Sequence, residues 1–370
     1  MHNPVEGVKV VVKVLVISTV PFAQDGITNV IMNHFRYIDE GVHMDFVFLN
    51  EPSEDALREF SKKDSKVNVT ANRTKNFFLY WKQLNLILKT NNFDVVHIHG
   101  NSSTMIIELL AAKINKIPKR FVHVHAKYTK YPLLNKVLNP VFKRMYTKAI
   151  APSMEAGDYL FGENKYEIIK NGIPVDDYAF TLIKRESVRA EFNFNDEDIV
   201  IGSIGRLADE KNQKYLLDLL KNLDDFKYKL LLIGEGPLDT SLKKITQEYG
   251  LEIQVVFAGV RNDVTELLSG MDTLVIPSLS EGLGITAIEA QAAELPVFIS
   301  ENVPGDVFQT PLAFSFKLDN MDTLISEIKK VKYCTCNRNL NKNNNDMKES
   351  TYNIYNSTNE LFKLYVNERN

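Results

Sequence analysis

The sequence predicts an α/β protein built as two doubly wound, Rossmann-like domains. Three observations lead there. Short β-branched runs alternate with amphipathic stretches along the chain, the pattern of parallel sheets with crossover helices. The alternation starts afresh in the second half. Between the halves, Asn171-Gly172-Ile173-Pro174 and then Asp176-Asp177 interrupt both regular structures. A length of 370 residues suits about two domains. The expected division is 1–174, 175–346 and a terminal helix over 347–370.

In the first half, the candidate strands are 10–18, 44–49, 95–99, 120–124 and 149–151, with helices over 30–37, 77–88 and 103–114 between them. The apolar run at 8–17 resembles a signal peptide only superficially. Lys9 and Lys13 interrupt it and no small-residue cleavage site follows, so it reads as a buried strand. In the second half, strands are expected at 199–204, 229–233, 254–258, 273–276 and 297–300. Helices are expected at 213–223, 238–249, 263–268 and 286–293. Continuous apolar strands imply sheets covered on both faces. The Asn-rich stretch 337–346 reads as a flexible loop. After it, Tyr352, Ile354, Tyr355, Leu361, Phe362 and Leu364 recur at helical spacing.

Composition excludes several classes. Hydrophobic residues at 44% and charged residues at 25% are those of a globular chain with a core. A net charge of −3 provides no global pull towards nucleic acid. Cys334 and Cys336 are too few and too close for a disulfide framework or a metal cage, and suit a reducing compartment. No stretch approaches the ~20 apolar residues of a membrane span. Any membrane contact is therefore expected to be peripheral.

The most informative segment is SEGLGITAIEAQAAELP, residues 280–296. It follows a buried strand. Gly282 and Gly284 let backbone approach a ligand closely, and a helix is expected to begin near Ile285. Its N-terminus offers unpaired N–H groups and the positive end of a dipole, an anion site. Glu281 and Glu289 bracket that site as acceptors for sugar and ribose hydroxyls. Acids near a helix start are also ordinary surface residues favoured by the dipole; the glycine loop and the preceding strand tip the reading towards binding. In GSIGRLADEKN, residues 202–212, Arg206 and Lys211 stand beyond a strand end, where cations neutralise a leaving diphosphate. The competing reading is a solvated pair beside Asp209 and Glu210.

These motifs together carry a family resemblance. GRLADEKN, IGEGP (233–237) and residues 257–296 resemble the C-terminal domain of retaining glycosyltransferase family 4, and NGIPVDDY (171–178) is similar to the segment closing its first domain. The resemblance spans the chain and is strongest from Ala149 to Ser300. It implies the GT-B fold, two such domains facing across a cleft, with the C-terminal helix crossing back to the N-terminal domain. It implies a hexosyltransferase that uses a nucleoside diphosphate sugar, in the resembling bacterial capsular and exopolysaccharide branch a UDP-sugar, without bound metal or cofactor. Carried over by residue, Arg206 and Lys211 hold the diphosphate, and Glu281 binds sugar hydroxyls. Glu289 accepts from the ribose, and the backbone of Gly284, Ile285 and Thr286 meets phosphate. His125 contacts the sugar near its anomeric carbon. Asp25-Gly26-Ile27-Thr28 resembles the family's glycine loop, with one glycine where many members have two. Glu294 departs from the pattern, which has Gly there.

Two local patterns stay open at this level. His97, His99, His123 and His125 lie in pairs on two strand ends. They read as a four-histidine metal site, as hydrogen-bonded core histidines or, for His125, as the donor-sugar contact. Between Lys113 and Lys148 there are ten Lys or Arg, no Asp or Glu, and five interleaved aromatics. That stretch suits an anionic membrane surface with a glycan or lipid-diphosphate-linked acceptor, a solvated face, or RNA; no nucleic acid is expected, given the overall acidity. The reading is a retaining glycosyltransferase of the cytoplasm, peripheral on the inner face of the cell membrane. Its rivals are a sugar-nucleotide 2-epimerase on the same fold and a non-catalytic partner subunit.

Overall fold

The computed structural model describes residues 11–23, 26–126, 129, 132–331, 338 and 342–367. It divides into two compact units, 1–172 with 354–370, and 173–353.

The first unit holds a seven-stranded parallel sheet in the order β3-β2-β1-β4-β5-β6-β7. The strands are β1 (Val12–Ser18), β2 (Val42–Phe48), β3 (Val67–Val69), β4 (Val95–His99), β5 (Lys119–His123), β6 (Lys148–Ala151) and β7 (Glu167–Ile168). The helices are α1 (Gly26–Tyr37), α2 (Glu54–Lys62), α3 (Phe77–Thr90), α4 (Ile106–Ile114), α5 (Pro132–Phe142) and α6 (Met154–Phe161). Central strands such as β4 are buried at every position, because helices cover both faces. One apolar cluster contains Leu15, Ile17 and Leu84, another Val14, Val16 and Phe46. Neighbouring residues of β1 thus feed opposite layers.

The second unit holds a six-stranded parallel sheet, β10-β9-β8-β11-β12-β13. Its helices begin with α7 (Leu182–Glu191). Then follow β8 (Ile199–Ile204), α8 (Lys214–Leu223), β9 (Tyr228–Ile233), α9 (Asp239–Glu248), β10 (Val255–Gly259), α10 (Val264–Gly270) and β11 (Thr273–Ile276). The remainder is α11 (Ile285–Ala292), β12 (Val297–Ser300), β13 (Ala313–Phe316), α12 (Met321–Ile328) and α13 (Lys342–Glu349). The strand order reverses between β8 and β11, and the loops after these two strands flank that switch point, where doubly wound sheets bind ligands.

The last helix, α14 (Ile354–Asn367), belongs to the first unit, where it packs on α1 and buries Leu361 and Tyr365. The unit boundaries fall at 172/173 and 353/354; a division at 346/347 would cut α13. The expected loop at 337–346 is corrected in part, since α13 begins at Lys342. Positions 337 and 339–341, like Cys334, Cys336, Asp25 and the start of the 8–17 run, lie outside the described residues. No described helix is long and apolar enough to cross a membrane.

Candidate functional site

The C-terminal ends of β8 and β11 bring two loops together. After β8 the chain turns at Gly205, whose φ of +151° is in the glycine-favoured region. The neighbouring IGEGP loop packs so closely that a Cβ on Gly234 would lie 2.1 Å from the Gly205 carbonyl oxygen. The loop then enters a short 3-10 turn, Asp209–Lys211. The two loops are tied by Leu279 N–H donating to the Glu210 carbonyl at 2.8 Å and Asn212 Nδ2 donating to the Pro277 carbonyl at 3.1 Å.

Within this frame Lys211 Nζ meets Glu281 Oε1 at 2.5 Å, and Ser278 Oγ donates to the same oxygen at 2.7 Å. Glu281 is only 8% exposed, so its charge is set against a lysine and a hydroxyl rather than against water. Arg206 is exposed at the end of β8, and among the described residues its side chain has no hydrogen-bond or ion-pair partner. Its backbone carbonyl accepts from Gln213 Nε2 at 2.9 Å, which holds the loop in place.

The helix α11 starts at Ile285, as its glycine loop implies. Gly284 precedes it at φ +73°, and a Cβ there would stand 2.9 Å from Val303 Cγ1. No side chain caps α11, so the N–H groups of Ile285 and Thr286 have no partner within the helix, while Ala287 N–H donates to the Gly284 carbonyl at 2.9 Å. Glu289 projects from the second turn and its Oε1 accepts from the Tyr178 hydroxyl at 2.9 Å. Burial pushes the Glu289 carboxyl up to about 7, partly offset by that hydrogen bond. Tyr178 was not singled out from the sequence. At the far end of α11, Glu294 occupies the left-handed position, φ +55°, that a glycine fills without strain. Leu295 N–H still reaches the Ala290 carbonyl at 2.9 Å, closing the helix end.

His125 and Gly26 belong to the first unit. Gly26 opens α1; its φ is not left-handed and a Cβ there would meet nothing within 4 Å. The chain's own geometry therefore places no demand for glycine at that position. His125 follows β5; its Nε2 lies 2.9 Å from His99 Nδ1, and its backbone N–H donates to Asn101 Oδ1 at 2.9 Å. Burial lowers its pKa to about 3, so the ring is neutral at pH 7.

The four sequence-marked histidines form one cluster, joined by His34 from α1. The His97 and His123 rings stack at 5.4 Å, and those of His123 and His125 at 4.4 Å. His97 Nδ1 meets the Tyr365 hydroxyl at 2.6 Å and His34 Nε2 meets Ser357 Oγ at 3.1 Å, both partners on α14. Donor atoms of His97, His99 and His123 lie within 4.8 Å of one another. Beside them, His34, His97, His99 and Tyr365 line a cavity of about 10 Å³, room for one water.

Two family models match this chain, one on each half. Glycosyltransferase Family 4 matches residues 25–177 and Glycosyl transferases group 1 matches residues 184–343. The chain is a group 1 glycosyltransferase. The transferase is 28% identical over 298 residues to the putative glycosyltransferase EpsF of Bacillus subtilis, covering 76% of this chain and 77% of the relative. It is 25% identical over 299 residues to the UDP-Gal:alpha-D-GlcNAc-diphosphoundecaprenol alpha-1,3-galactosyltransferase of Escherichia coli, covering 76% and 77%. In fold it matches Anabaena Alr3699/HepE, solved in complex with UDP and glucose, with a TM-score of 0.74 at 16% identity over 95% of this chain and 99% of that one. Its two Rossmann-like units, with parallel sheets of seven and six strands, have the GT-B fold.

Proposed function

We propose that this glycosyltransferase moves a hexose from a UDP-sugar to a glycan or lipid-diphosphate-linked acceptor, with retention at the anomeric carbon, in surface polysaccharide synthesis. The observation that carries the proposal is the contact of Lys211 with Glu281 beside the uncapped start of α11. The E. coli relative is named for a UDP-linked donor and a diphosphoundecaprenol-linked acceptor, which supports the donor and acceptor classes.

In this reading the donor diphosphate lies at the first turn of α11, where open N–H groups and the helix dipole attract an anion. Arg206 and Lys211 neutralise the charge that builds on the phosphates as the bond between C1 and the diphosphate oxygen breaks. The acceptor oxygen forms the new bond to C1 on the face the diphosphate leaves. Its proton passes to a phosphate oxygen of the leaving group, so no carboxylate nucleophile is required. Glu281 accepts from the sugar hydroxyls and Glu289 from the ribose. In the first unit, His125 is uncharged at neutral pH, which suits a hydrogen bond to a sugar hydroxyl rather than charge neutralisation. No metal or cofactor takes part, and the enzyme works at the cytoplasmic face of the cell membrane, with the 113–148 region towards the lipid.

Lys211→Ala tests the reading. Turnover of UDP-sugar with acceptor should fall by about a hundredfold or more in a chain that stays folded by circular dichroism, with a lowered melting temperature because Glu281 loses its cation. Unchanged turnover removes Lys211 from the site. Incubation with donor alone separates a transferase, which leaves the sugar configuration intact, from an epimerase, which converts it.

A further inference from the structure

The first unit carries a surface that the sugar chemistry does not use. Helices α3, α4 and α5 lie side by side on one face of its sheet, α3 against α4 and α4 against α5. α3 buries Tyr80, Leu84 and Leu88 and turns the other way Phe78, Leu79 and Leu86, with Phe78 85% exposed. α4 leaves Leu110 and Ile114 in solvent. α5 buries Asn135 and Phe142 and exposes Leu133, Leu134, Val137 and Val141, the first of them at 82%. Single exposed apolar residues are ordinary, but a contiguous face of them on three neighbouring helices marks an interaction site.

The charges on this face have one sign. Exposed Lys82, Lys89, Lys113 and Lys136 stand among the apolar residues, and Lys75 and Arg144 flank them. From Val67 to Met154 the only acids are Asp94 and Glu108. Asp94 precedes β4 and accepts from Lys13 N–H at 2.8 Å. Glu108 is fully buried, accepting from Tyr80 at 2.7 Å and facing Arg73 at 3.4 Å. α3, α4 and α5 themselves therefore place no acid among the cations on their outer faces.

We propose that the outer faces of α3, α4 and α5 together dock on an anionic lipid bilayer. The proposal rests on the lipid-linked acceptor reading and deepens it, because it adds α3, outside the basic 113–148 stretch, as a wedge. Leucine, valine and phenylalanine enter the boundary between headgroups and acyl chains while lysines are attracted to the anionic headgroups. RNA is the weaker occupant, since aliphatic chains provide no stacking platform for bases. A protein partner is weaker too, because interface cores are depleted in lysine.

The test is co-sedimentation of the full chain with phosphatidylcholine vesicles, with and without phosphatidylglycerol. Binding is expected to need phosphatidylglycerol and to weaken with salt. Phe78→Glu combined with Val137→Glu, and separately Lys82→Glu with Lys136→Glu, should each weaken it about tenfold or more. Both pairs are exposed, and UDP-sugar binding by the second unit should be unchanged, which separates loss of docking from loss of fold or of the transferase reading. Absence of binding to phosphatidylglycerol vesicles overturns the proposal. So does binding that neither double variant weakens, or tighter capture of single-stranded RNA than of vesicles.

Discussion

The Tyr178 hydroxyl donates to Oε1 of Glu289 at 2.9 Å, linking the segment that opens the second unit to helix α11. Tyr178 lies in a short 3-10 turn, Val175–Tyr178, packed against α11. The pair matters because burial holds the Glu289 carboxyl up to about 7, where a small change in environment changes its charge. Tyr178→Phe deletes the one group that favours the carboxylate. The Glu289 pKa should rise, and the affinity for UDP-sugar should climb with pH at a higher midpoint than in wild type. Folding stability should drop by about 1 kcal/mol for the lost hydrogen bond. Isothermal titration from pH 6 to 9 reads both pKa values; superimposable profiles would remove Glu289 from donor recognition.

The histidine cluster makes the first unit sensitive to acid. Burial lowers His34 to about 4 and His125 to about 3, and also lowers His97, His99 and His123, which repel one another when charged. The unfolded chain binds these protons near pH 6.5 and the folded chain does not. Stability is therefore intact above about pH 6.5 and is lost as pH falls below it, by up to about 1.4 kcal/mol per histidine per pH unit. Melting curves at pH 7.5 and 5.5 should show a steep loss, reduced in a His34→Asn variant. A flat profile would mean that the rings can charge without leaving the core.

Asp272 holds α7 to the start of β11. It pairs with Arg185 at 2.8 Å and Arg189 at 3.2 Å, and accepts from Val200 N–H at 2.8 Å, with all three side chains buried. Asp272→Ala leaves two buried guanidinium groups without their carboxylate. A loss of about 3–5 kcal/mol is expected, seen as a lower urea midpoint; a loss under about 1 kcal/mol would show that the arginines find other partners.

Gly284→Ala should damage both stability and binding. An alanine at φ +73° costs about 1–2 kcal/mol, and its methyl group would press on Val303. The start of α11 must shift, so the donor affinity should fall along with the melting temperature. Ala at exposed Gly282, where a Cβ meets nothing within 4 Å, is the control and should keep the wild-type fold.

Much of this molecule is legible residue by residue. The central strands were marked by unbroken apolar runs. The stretch from β11 through Gly284 into α11 reads directly as strand, left-handed turn and helix, because each step depends on neighbours in the chain. The edge strands β3, β7 and β13 escaped because most of their residues are exposed or half-buried, so no apolar run marks them, unlike the equally short but fully buried β11 and β12. Helix α13 escaped because its sequence is rich in asparagine, a poor helix former.

The sequence by itself determined the order of the central strands, the motif residues at the ends of β8 and β11, and the basic character of the 113–148 region. Tertiary structure decided which of these meet. His34 joins histidines far along the chain and is bonded to Ser357, Tyr178 finds Glu289 across 111 positions, and α3 lies beside α4 so that Phe78 belongs to the same outer layer as the lysines. Periodicity and turn chemistry act over a few residues, whereas these contacts arise only when parallel strands close long crossovers and set distant side chains against each other.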